Sequence, residues 1–393
     1  MLETILQKEY APLESLYHDL HAHPELSLKE ERTSIRMAEE LEKIALRVSR
    51  RVGGHGVVAV LENGLGPVVL LRSDMDALPL MEATGLPYAS QESGVMHACG
   101  HDIHMTCLVG TAKVLIQIKN QWKGTLVFIA QPAEEKGQGA QAMIDDGLFT
   151  RFPKPDYALA LHVDSQLPTG KVGYRSGPAF ANVDSVDLTV YGRGGHGAYP
   201  HLTVDPIVIA SEIVVALQTI VSRELKPYET AVVTVGSIHG GTKHNIIPNE
   251  VKLELTLRSY ADETRNQILE AIQRISSSVA RAHRAPRDPD IRITESIPST
   301  YNDPKLVNRI LGVFRKNFGE DSVIEKDPEM GGEDFGLFGR AGIPAFMFRI
   351  GSVARGRKPL PSLHSAEYAP DLKPTLTLGV QALSLAALEL LNR

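Results

Sequence analysis

Cysteine is scarce in this sequence, because only Cys99 and Cys107 occur among 393 residues. Two cysteines cannot build a disulfide framework, and we expect them to act as a ligand and a packed thiol in a reducing compartment. The chain also lacks any run of lysine or arginine, and its formal net charge is −6. Nothing therefore indicates a nucleic acid or an anionic membrane as a partner, and a small molecule is expected.

No uninterrupted apolar segment stands near the beginning of the chain. Residues 1–20, MLETILQKEYAPLESLYHDL, carry acidic side chains throughout and predict an amphipathic helix instead of a signal sequence or membrane anchor. We therefore expect a cytoplasmic protein. The sequence also shows no internal repeat, and its length is sufficient for two or three domains.

Short apolar runs alternate with helix-length segments through the first 180 residues or so. Runs such as GPVVLLRSDMDALP, GTLVFIAQPAEE and DYALALHV are typical of strands in a mostly parallel α/β sheet. Such runs are followed directly by Asp74, Asp76, Glu134, Glu135 and His162. Because ligands of open α/β sheets bind outside the carboxyl ends of the strands, we expect the chemistry to lie there.

The order of predicted elements changes at about Asp184 to strand, helix, two strands, helix and strand. This is the split βαββαβ order of ferredoxin-like domains. We therefore predict a catalytic α/β domain formed by residues 1–183 and 298–393. Residues 184–297 are predicted to form an inserted ferredoxin-like α+β domain.

One motif in the inserted domain does not indicate a cofactor. Gly192, Gly194 and Gly197 have the spacing GxGxxG after a predicted strand. A dinucleotide site also needs a helix that begins at the third glycine and an acidic residue at the end of a second strand. Pro200 follows instead, and Glu212 lies within a predicted helix. Nicotinamide or flavin binding is therefore not predicted.

The segment MHACGHDIHMTC, residues 96–107, is dense in side chains that can bind a metal. In an extended segment, the spacing of Cys99 and His101 directs both to the same side. The alternative for an isolated cysteine is to pack as a small apolar residue. His97 and His104 fit either a supporting role beside metal ligands or simple packing. Cys107 is expected to pack.

Adjacent acids in QPAEE form a second candidate group. A two-metal hydrolase needs further ligands and a base, and Glu134 and Glu135 can divide these tasks if they face different directions. The alternative is a solvated acidic turn. His162 likewise has an alternative role, as a hydrogen-bonded imidazole at the end of a strand.

Several motifs together resemble one known family of di-metal amidohydrolases. The motifs are MHACGHD, QPAEEKGQGAQAMIDDG, GGHGAYPH, HNIIPN, GGEDF and LHS, and they are spread along the whole chain in the family's order. The chain is similar to aminoacylases, hippurate hydrolases, plant auxin-conjugate hydrolases and bacterial N-acyl-amino-acid deacylases. LHAHPELSLKE and RSDMDALP also match, but His21 and His23 are expected to be structural.

The resemblance implies two divalent metal ions and assigns roles to particular residues. Zinc or manganese is expected, and cobalt or nickel is also compatible. Cys99 would bridge the ions, Glu134 would be the general base for a water activated by the metals, and Asp76 would orient a ligand or Glu134. The implied metal ligands are Cys99, His101, Glu135, His162 and His364.

The resemblance also implies that the inserted domain is a lid and carries the contact of a homodimer. His196 would stabilise the oxyanion of the reaction, either in its own subunit or in the neighbouring one. Asn245 and Arg258 would contact substrate, since an arginine suits a free α-carboxylate. Gly332 would line the substrate with backbone atoms.

The predicted function is hydrolysis of N-acyl or N-aroyl L-amino acids to a carboxylate and a free amino acid. A dipeptidase or aminopeptidase is the nearest alternative, and it would need an acidic pocket for a free α-ammonium group. A non-catalytic, metal-dependent binding protein is an alternative from another class. The presence of both a base and a ligand set with open positions argues against it.

Overall fold

The computed structural model describes residues 2–44, 46–356, 358 and 361–392. They form two compact units, of which the first comprises Met1–Ala179, Tyr301–Asp327 and Asp334–Arg393. The second comprises Phe180–Thr300 and the short segment Pro328–Glu333. The predicted catalytic domain, residues 1–183 and 298–393, includes that segment, and these boundaries stay a prediction.

The α-helices of the described residues are α1 (Leu2–Ala22), α2 (Glu31–Lys43), α3 (His101–Gln117), α4 (Gly139–Asp145), α5 (Leu148–Arg151), α6 (Pro206–Thr219), α7 (Asp262–Ala282), α8 (Pro304–Phe318), α9 (Gly336–Arg340) and α10 (Leu372–Leu391). Two of them begin with the same local signal. Asp205 and Asp303 accept amide hydrogen bonds from the first turns of α6 and α8, and proline occupies the first helical position. Proline fits there because that amide has no helical partner.

The strands are β1 (Arg47–Val52), β2 (Gly56–Asn63), β3 (Val68–Asp74), β4 (Gly124–Gln131), β5 (Tyr157–Pro168), β6 (Val172–Tyr174), β7 (Gly177–Phe180), β8 (Asn182–Tyr191), β9 (Gly195–His196), β10 (Ala231–Gly240), β11 (Ile246–Ile247), β12 (Glu250–Ser259), β13 (Asp290–Ile297), β14 (Thr300–Asn302), β15 (Val323–Glu325) and β16 (Ala345–Val353). The short strands β7 and β14 pair with each other, as do β9 and β11.

An eight-stranded sheet forms the centre of the first unit, in the order β1-β2-β4-β3-β5-β16-β6-β15. The four central strands, from β4 to β16, run parallel to one another. Helices α3 and α10 pack on these strands and on each other. Strands β3 and β16 are buried along almost their whole length, which explains their nearly continuous apolar sequences. The predicted α/β class with a mostly parallel sheet is confirmed.

The position of His162 in the sheet differs from the prediction. The sequence predicts His162 at the end of a strand, but β5 continues to Pro168 and His162 lies in the middle of it. The reason is tertiary, because β16 pairs with β5 from Ala158 to Pro168. Hydrogen bonds to a neighbouring strand therefore extend β5 through the polar segment DSQ.

The second unit is built on an antiparallel sheet in the order β10-β12-β8-β13. Helices α6 and α7 pack on β12 and β8 and against each other. Strand β12, EVKLELTLRS, alternates exposed and buried residues, as expected when one face of a sheet meets a core. The chain order β8, α6, β10, β12, α7, β13 is the predicted βαββαβ pattern.

Two helical stretches of the described residues are long and apolar enough to cross a membrane, judged by length and composition alone. One of them, Leu372–Leu391, is α10, which lies two-thirds buried in the core of the first unit. The other, Pro206–Glu224, contains α6 and is one-third buried. A buried core helix passes the same test, so the finding for α10 reflects packing.

Candidate metal centre

Side chains from five segments of the first unit converge at one end of the central strands. Asp74 is the last residue of β3, and Asp76 follows two residues later. Cys99 and His101 stand at the start of α3, and Glu134 and Glu135 follow β4. His162 comes from β5 and His364 from the segment before α10.

Gly100 makes the close spacing of Cys99 and His101 possible. Its φ is +78°, in the left-handed region that favours glycine. A Cβ atom at this position would lie 2.6 Å from Cγ2 of Val163 on the neighbouring strand β5. Glycine therefore lets the start of α3 approach β5, which carries His162.

Hydrogen bonds fix the ring orientation of two of the three candidate histidine ligands, His101 and His162. Nδ1 of His101 lies 2.8 Å from the backbone oxygen of Asp76, so this nitrogen carries the proton and donates it. Nδ1 of His162 makes the equivalent bond, of 2.8 Å, to the oxygen of Val163. In the neutral form of each ring, Nε2 is then the unprotonated acceptor, which is the form that binds a metal.

Cys99 belongs to two groups of donors that are each close enough to hold one ion. Its Sγ lies within 4.8 Å of donor atoms of His101 and His162, and these also lie within 4.8 Å of each other. The same distance limit holds for Cys99, Glu135 and His364. Cys99 is therefore common to two donor groups.

The donor set fits a pair of divalent ions. Nε2 of His101 and Oε1 of Glu135 are buried and make no hydrogen bond within the described residues. Buried polar atoms without a partner are costly, and a cation would satisfy both. Burial, together with the carboxylate of Glu135, raises the pKa of the Cys99 thiol to about 12. A thiolate at this position therefore requires a nearby cation.

His364 differs from the other donors in its exposure and its backbone. Its side chain is 54% exposed, and its Nε2 lies 3.4 Å from Oε1 of Glu135. Its φ is +65°, a conformation that costs a non-glycine residue on the order of 1–3 kcal/mol. The amide of His364 donates to the oxygen of Ala98, next to Cys99. The strained backbone is thus anchored beside a candidate ligand. Because the His364 side chain is exposed, the donor set is open to solvent on this side.

The two adjacent glutamates lie at the same distance from His101. Oε2 of Glu134 and Oε1 of Glu135 are each 3.9 Å from Nε2 of His101. Asp76 supports this arrangement through three contacts. Its Oδ2 accepts the amide of Glu135 at 3.0 Å and the hydroxyl of Ser27 at 2.7 Å, and its backbone oxygen holds His101.

A second polar network joins Arg72 to Asp74, Gln131 and Asp334. None of these four residues has a predicted role as a ligand, base or substrate contact. The fully buried Arg72 donates to Asp74 at 2.6 Å, to Asp334 at 2.9 Å and to Gln131 at 3.0 Å. Burying a charged pair is costly unless its partners are well placed, and here the guanidinium has three. A single arginine within an apolar strand was the only available signal in the sequence.

His104 belongs to that network and is not available as a ligand. Its Nδ1 donates to Oδ1 of Asp74 at 2.6 Å, and its Nε2 accepts the amide of Val163 at 3.0 Å. Because both nitrogens are engaged, the ring is neutral with its proton on Nδ1. His104 thus holds the peptide unit that follows His162.

The remaining metal-capable residues of the 96–107 segment do not join the donor set. His97 is buried without a hydrogen-bond partner in the described part of the chain, and burial lowers its pKa to about 4. Cys107 is buried against α10, where burial raises the pKa of its thiol well above the usual range. Asp102 accepts a 2.7 Å hydrogen bond from His21, which also contacts Glu82.

The predicted lid residues all lie in the second unit. His196 on β9 pairs with Ile246 on β11, and the backbone oxygen of Asn245 accepts the amide of Gly197 at 2.9 Å. The structure therefore brings His196 and Asn245 together, and His196 is exposed. Arg258 is half-buried on β12, where burial lowers the pKa of its guanidinium.

Gly332 and Arg258 share a neighbour on β8. Arg258 pairs with Val183 in the sheet, and a Cβ atom on Gly332 would lie 3.1 Å from Cγ2 of the same valine. It would also lie 3.2 Å from Cδ1 of Ile297. A side chain at position 332 would therefore crowd the apolar contacts around Val183.

Comparisons with known proteins agree with this geometry. A family model described as Peptidase family M20/M25/M40 matches residues 70–387. The chain belongs to this family. Hippurate hydrolase from Campylobacter jejuni is 40% identical to it over 340 residues, which are 85% of either chain. Thermostable carboxypeptidase 2 from Saccharolobus solfataricus is 35% identical over 379 residues, covering 95% of this chain and 94% of the relative.

A solved structure of an M20 family member is similar to this chain over almost its whole length. It is described as a dinuclear metal binding peptidase from Bacillus subtilis and has 30% sequence identity and a TM-score of 0.84. The alignment covers 98% of this chain and 99% of that one. The predicted family and the prediction of a metal-dependent amide hydrolase are confirmed, and two divalent ions are supported.

Proposed function

We propose that this M20 enzyme hydrolyses N-acyl or N-aroyl L-amino acids and releases a carboxylate and a free amino acid. The observation that carries the proposal is the placement of two adjacent carboxylates beside His101: Glu135 also shares a donor group with Cys99 and His364, whereas Glu134 belongs to no donor group of Cys99. One carboxylate can then hold an ion while its neighbour transfers protons. Similarity to a hippurate hydrolase supports an N-aroyl amino acid as one substrate.

The residues of the site have different tasks in the hydrolysis of an amide. Cys99, His101, Glu135, His162 and His364 would hold two divalent ions, zinc or manganese first and cobalt or nickel as alternatives. When bound, such ions polarise a carbonyl group and lower the pKa of water. Glu134 takes the proton from the attacking water and delivers it to the leaving amine. Asp76 keeps His101 and the Glu135 backbone in place during both transfers.

Four residues of the second unit are proposed to recognise the substrate. Arg258 would bind the free α-carboxylate, for which a guanidinium offers two parallel hydrogen bonds. Asn245 would bind a polar group of the same substrate, and Gly332 would present backbone atoms. His196 would donate a hydrogen bond to the developing oxyanion, and removal of such a donor typically costs about 10²- to 10³-fold in kcat.

A carboxypeptidase or dipeptidase is the second candidate, because one relative is named a carboxypeptidase. Both activities act on an amide beside a free α-carboxylate; a dipeptidase requires a free amine on the acyl part, whereas a carboxypeptidase also cleaves an N-blocked dipeptide. Comparing hydrolysis of benzoylglycine, an N-blocked dipeptide and the same dipeptide unblocked separates them. A preference for the unblocked dipeptide would favour a dipeptidase. Metal-dependent binding without turnover of any of them would identify a binding protein.

Two glutamine variants test the division between the adjacent glutamates. Glu134→Gln is expected to retain both ions and to lose about 10²- to 10⁴-fold in kcat, since it cannot transfer protons. Glu135→Gln is the matched control, and it is expected to lower metal occupancy. Metal content after dialysis and steady-state kinetics measure the two effects. Near wild-type kcat in Glu134→Gln would remove Glu134 as the base.

A homodimer through the second unit is also proposed. Helix α6 exposes Ile207, Val208 and Val215, and with Val279 of α7 these line an apolar groove. An exposed apolar surface of this kind is typical of a protein interface, and a second copy of the chain is the occupant that the family resemblance implies. Val215→Glu is expected to shift the mass in analytical ultracentrifugation from dimer to monomer. A wild-type monomer would contradict the proposal. The cytoplasmic location stays a prediction.

A further inference from the structure

Ala133, the residue before the proposed base, has an unusual backbone. Its φ is +50°, in the left-handed region that an alanine rarely occupies. Such a conformation persists only when surrounding contacts impose it. The turn at Ala133 lies between β4 and the two adjacent glutamates, so it determines where Glu134 is directed.

Contacts on both sides of Ala133 impose this conformation. Its oxygen accepts the amides of Gln138 and Gly139, at 3.1 and 3.2 Å. Its amide donates to Oε1 of Glu30 at 2.7 Å. Glu30 is fully buried, and its second oxygen makes no hydrogen bond within the described residues. One oxygen of the Glu30 carboxyl group therefore holds the Ala133 amide, and the backbone of Glu30 itself and of Leu28 also contributes hydrogen bonds to the same carboxyl group.

The position of Glu30 directly before α2 does not explain its contact with Ala133. Glu30 directly precedes α2, where an acidic side chain would normally cap the first free amides. Its side chain makes no capping bond. Glu25 instead accepts the amides of Arg32 and Thr33, at 3.1 and 2.7 Å. The start of α2 is thus capped by another residue, and Glu30 reaches Ala133.

Carboxylates hold the amides on both sides of Glu134. Glu30 accepts the amide of Ala133, and Asp76 accepts the amide of Glu135. We propose that Glu30 is a positioning residue for Glu134, which it orients by holding the left-handed turn at Ala133. The inference rests on the proposed role of Glu134 as the base. Glu30 would thus support proton transfer by Glu134, although Glu30 itself would contact neither substrate nor metal.

Three variants test the proposal. Glu30→Ala removes the acceptor, whereas Glu30→Gln keeps an oxygen of the same reach and removes only the charge. Burial is the main cause that raises the pKa of Glu30, so a neutral acceptor is a close substitute. Glu31→Ala is the matched control, because Glu31 is exposed at the next position. The measurements are kcat and KM for benzoylglycine, metal content, and hydrogen exchange of the Ala133 amide.

Glu30→Ala is expected to lower kcat by about 10- to 100-fold, the effect of displacing a catalytic group by about 1 Å. KM and metal content should stay unchanged, and exchange at Ala133 should become faster. Glu30→Gln should recover most of the kcat and the protection, and Glu31→Ala should behave as wild type. An unchanged kcat and unchanged exchange in Glu30→Ala would overturn the proposal. Equal loss in the glutamine variant would also overturn it, because charge and not the acceptor would then matter.

Failure of the proposed function has a different signature. A wild-type enzyme that turns over no N-acyl amino acid would reject that function, while exchange at Ala133 in the Glu30 variants would still report whether Glu30 holds the turn. If Glu30→Ala does not fold, the glutamine variant decides, since loss of kcat with wild-type protection of the Ala133 amide in a folded Glu30→Gln protein contradicts the proposal.

Discussion

Replacing His104 is expected to weaken metal binding although this residue is not a ligand. Its imidazole connects Asp74 to the amide of Val163, and the oxygen of Val163 holds the ring of His162. His104→Asn retains a donor near Nδ1 for Asp74 but is too short to accept the Val163 amide. Residues that orient a ligand typically contribute about 10- to 100-fold in metal affinity. That loss is expected for the ion held by His162.

The same variant has a cost in folding that can be measured separately. Val163 is fully buried, so its amide would lose the acceptor that His104 provides and remain unsatisfied. An unsatisfied buried amide costs about 1–3 kcal/mol in the free energy of unfolding. Thermal or denaturant unfolding of the metal-free protein measures this cost without a contribution from metal binding.

A glutamine at the same position is the matched control. The side-chain oxygen introduced by His104→Gln reaches the place of Nε2 and accepts the Val163 amide, while Asp74 keeps its bond to Arg72. Competition with a chromophoric chelator gives the affinity for Zn²⁺ in each variant. The affinity for Zn²⁺ is expected to be highest in the wild type, lower in His104→Gln and lowest in His104→Asn. Wild-type affinity for both ions in His104→Asn, with only the unfolding free energy reduced, would refute the orienting role.

Two further predictions concern other residues near the start of α3. Cys99→Ser is expected to weaken metal binding and turnover, whereas Cys107→Ser should leave both close to wild type, because Cys99 belongs to two donor groups and Cys107 to none of those found among the described residues. Equal losses would contradict the ligand assignment. Burial alone would lower the pKa of His21, but hydrogen bonds to Asp102 and Glu82 raise it to about 9. Because the pKa is raised, the protonated ring stabilises the fold fully at pH values below 6.5, the ordinary pKa of histidine. This stabilisation is lost as the pH rises through about 9. The difference in unfolding free energy between wild type and His21→Gln should therefore shrink from pH 6.5 to 9, and a constant difference would show that the ring stays neutral.

The fold class was predictable because its signals are local. Apolar strand runs alternate with helices in the first unit, and the βαββαβ order of the second unit is visible in the periodicity of β8, α6, β10, β12, α7 and β13. The ends of strands that depend on pairing with a neighbouring strand were harder to predict from the sequence. The polar residues after His162 resemble a loop, and only the pairing with β16 makes them part of β5.

The candidate site shows the same division between local and tertiary information. Cys99 with His101, and Glu134 with Glu135, stand close in sequence and could be selected as candidates from their spacing. Asp76 and His104 could be named from the sequence for supporting roles, His104 with packing as its alternative, but the partners of the supporting residues could not be predicted. Glu30 meets Ala133 across 103 positions of the chain, and His104 meets Val163 across 59. Contacts of that sequence separation leave no periodic pattern, and their assignment requires the fold.

The pairing of β5 with β16 has a consequence for how this protein is made. The two strands lie side by side at the centre of the first sheet, yet the whole second unit is inserted between them in the chain. During synthesis, the second unit emerges from the ribosome before β16 exists, so it is free to fold while β5 still has an open edge. Closing so long a loop is entropically costly and slows folding. His162 lies on β5 and His364 follows β16, so the metal centre is expected to be assembled last, after nearly all of the chain has been translated.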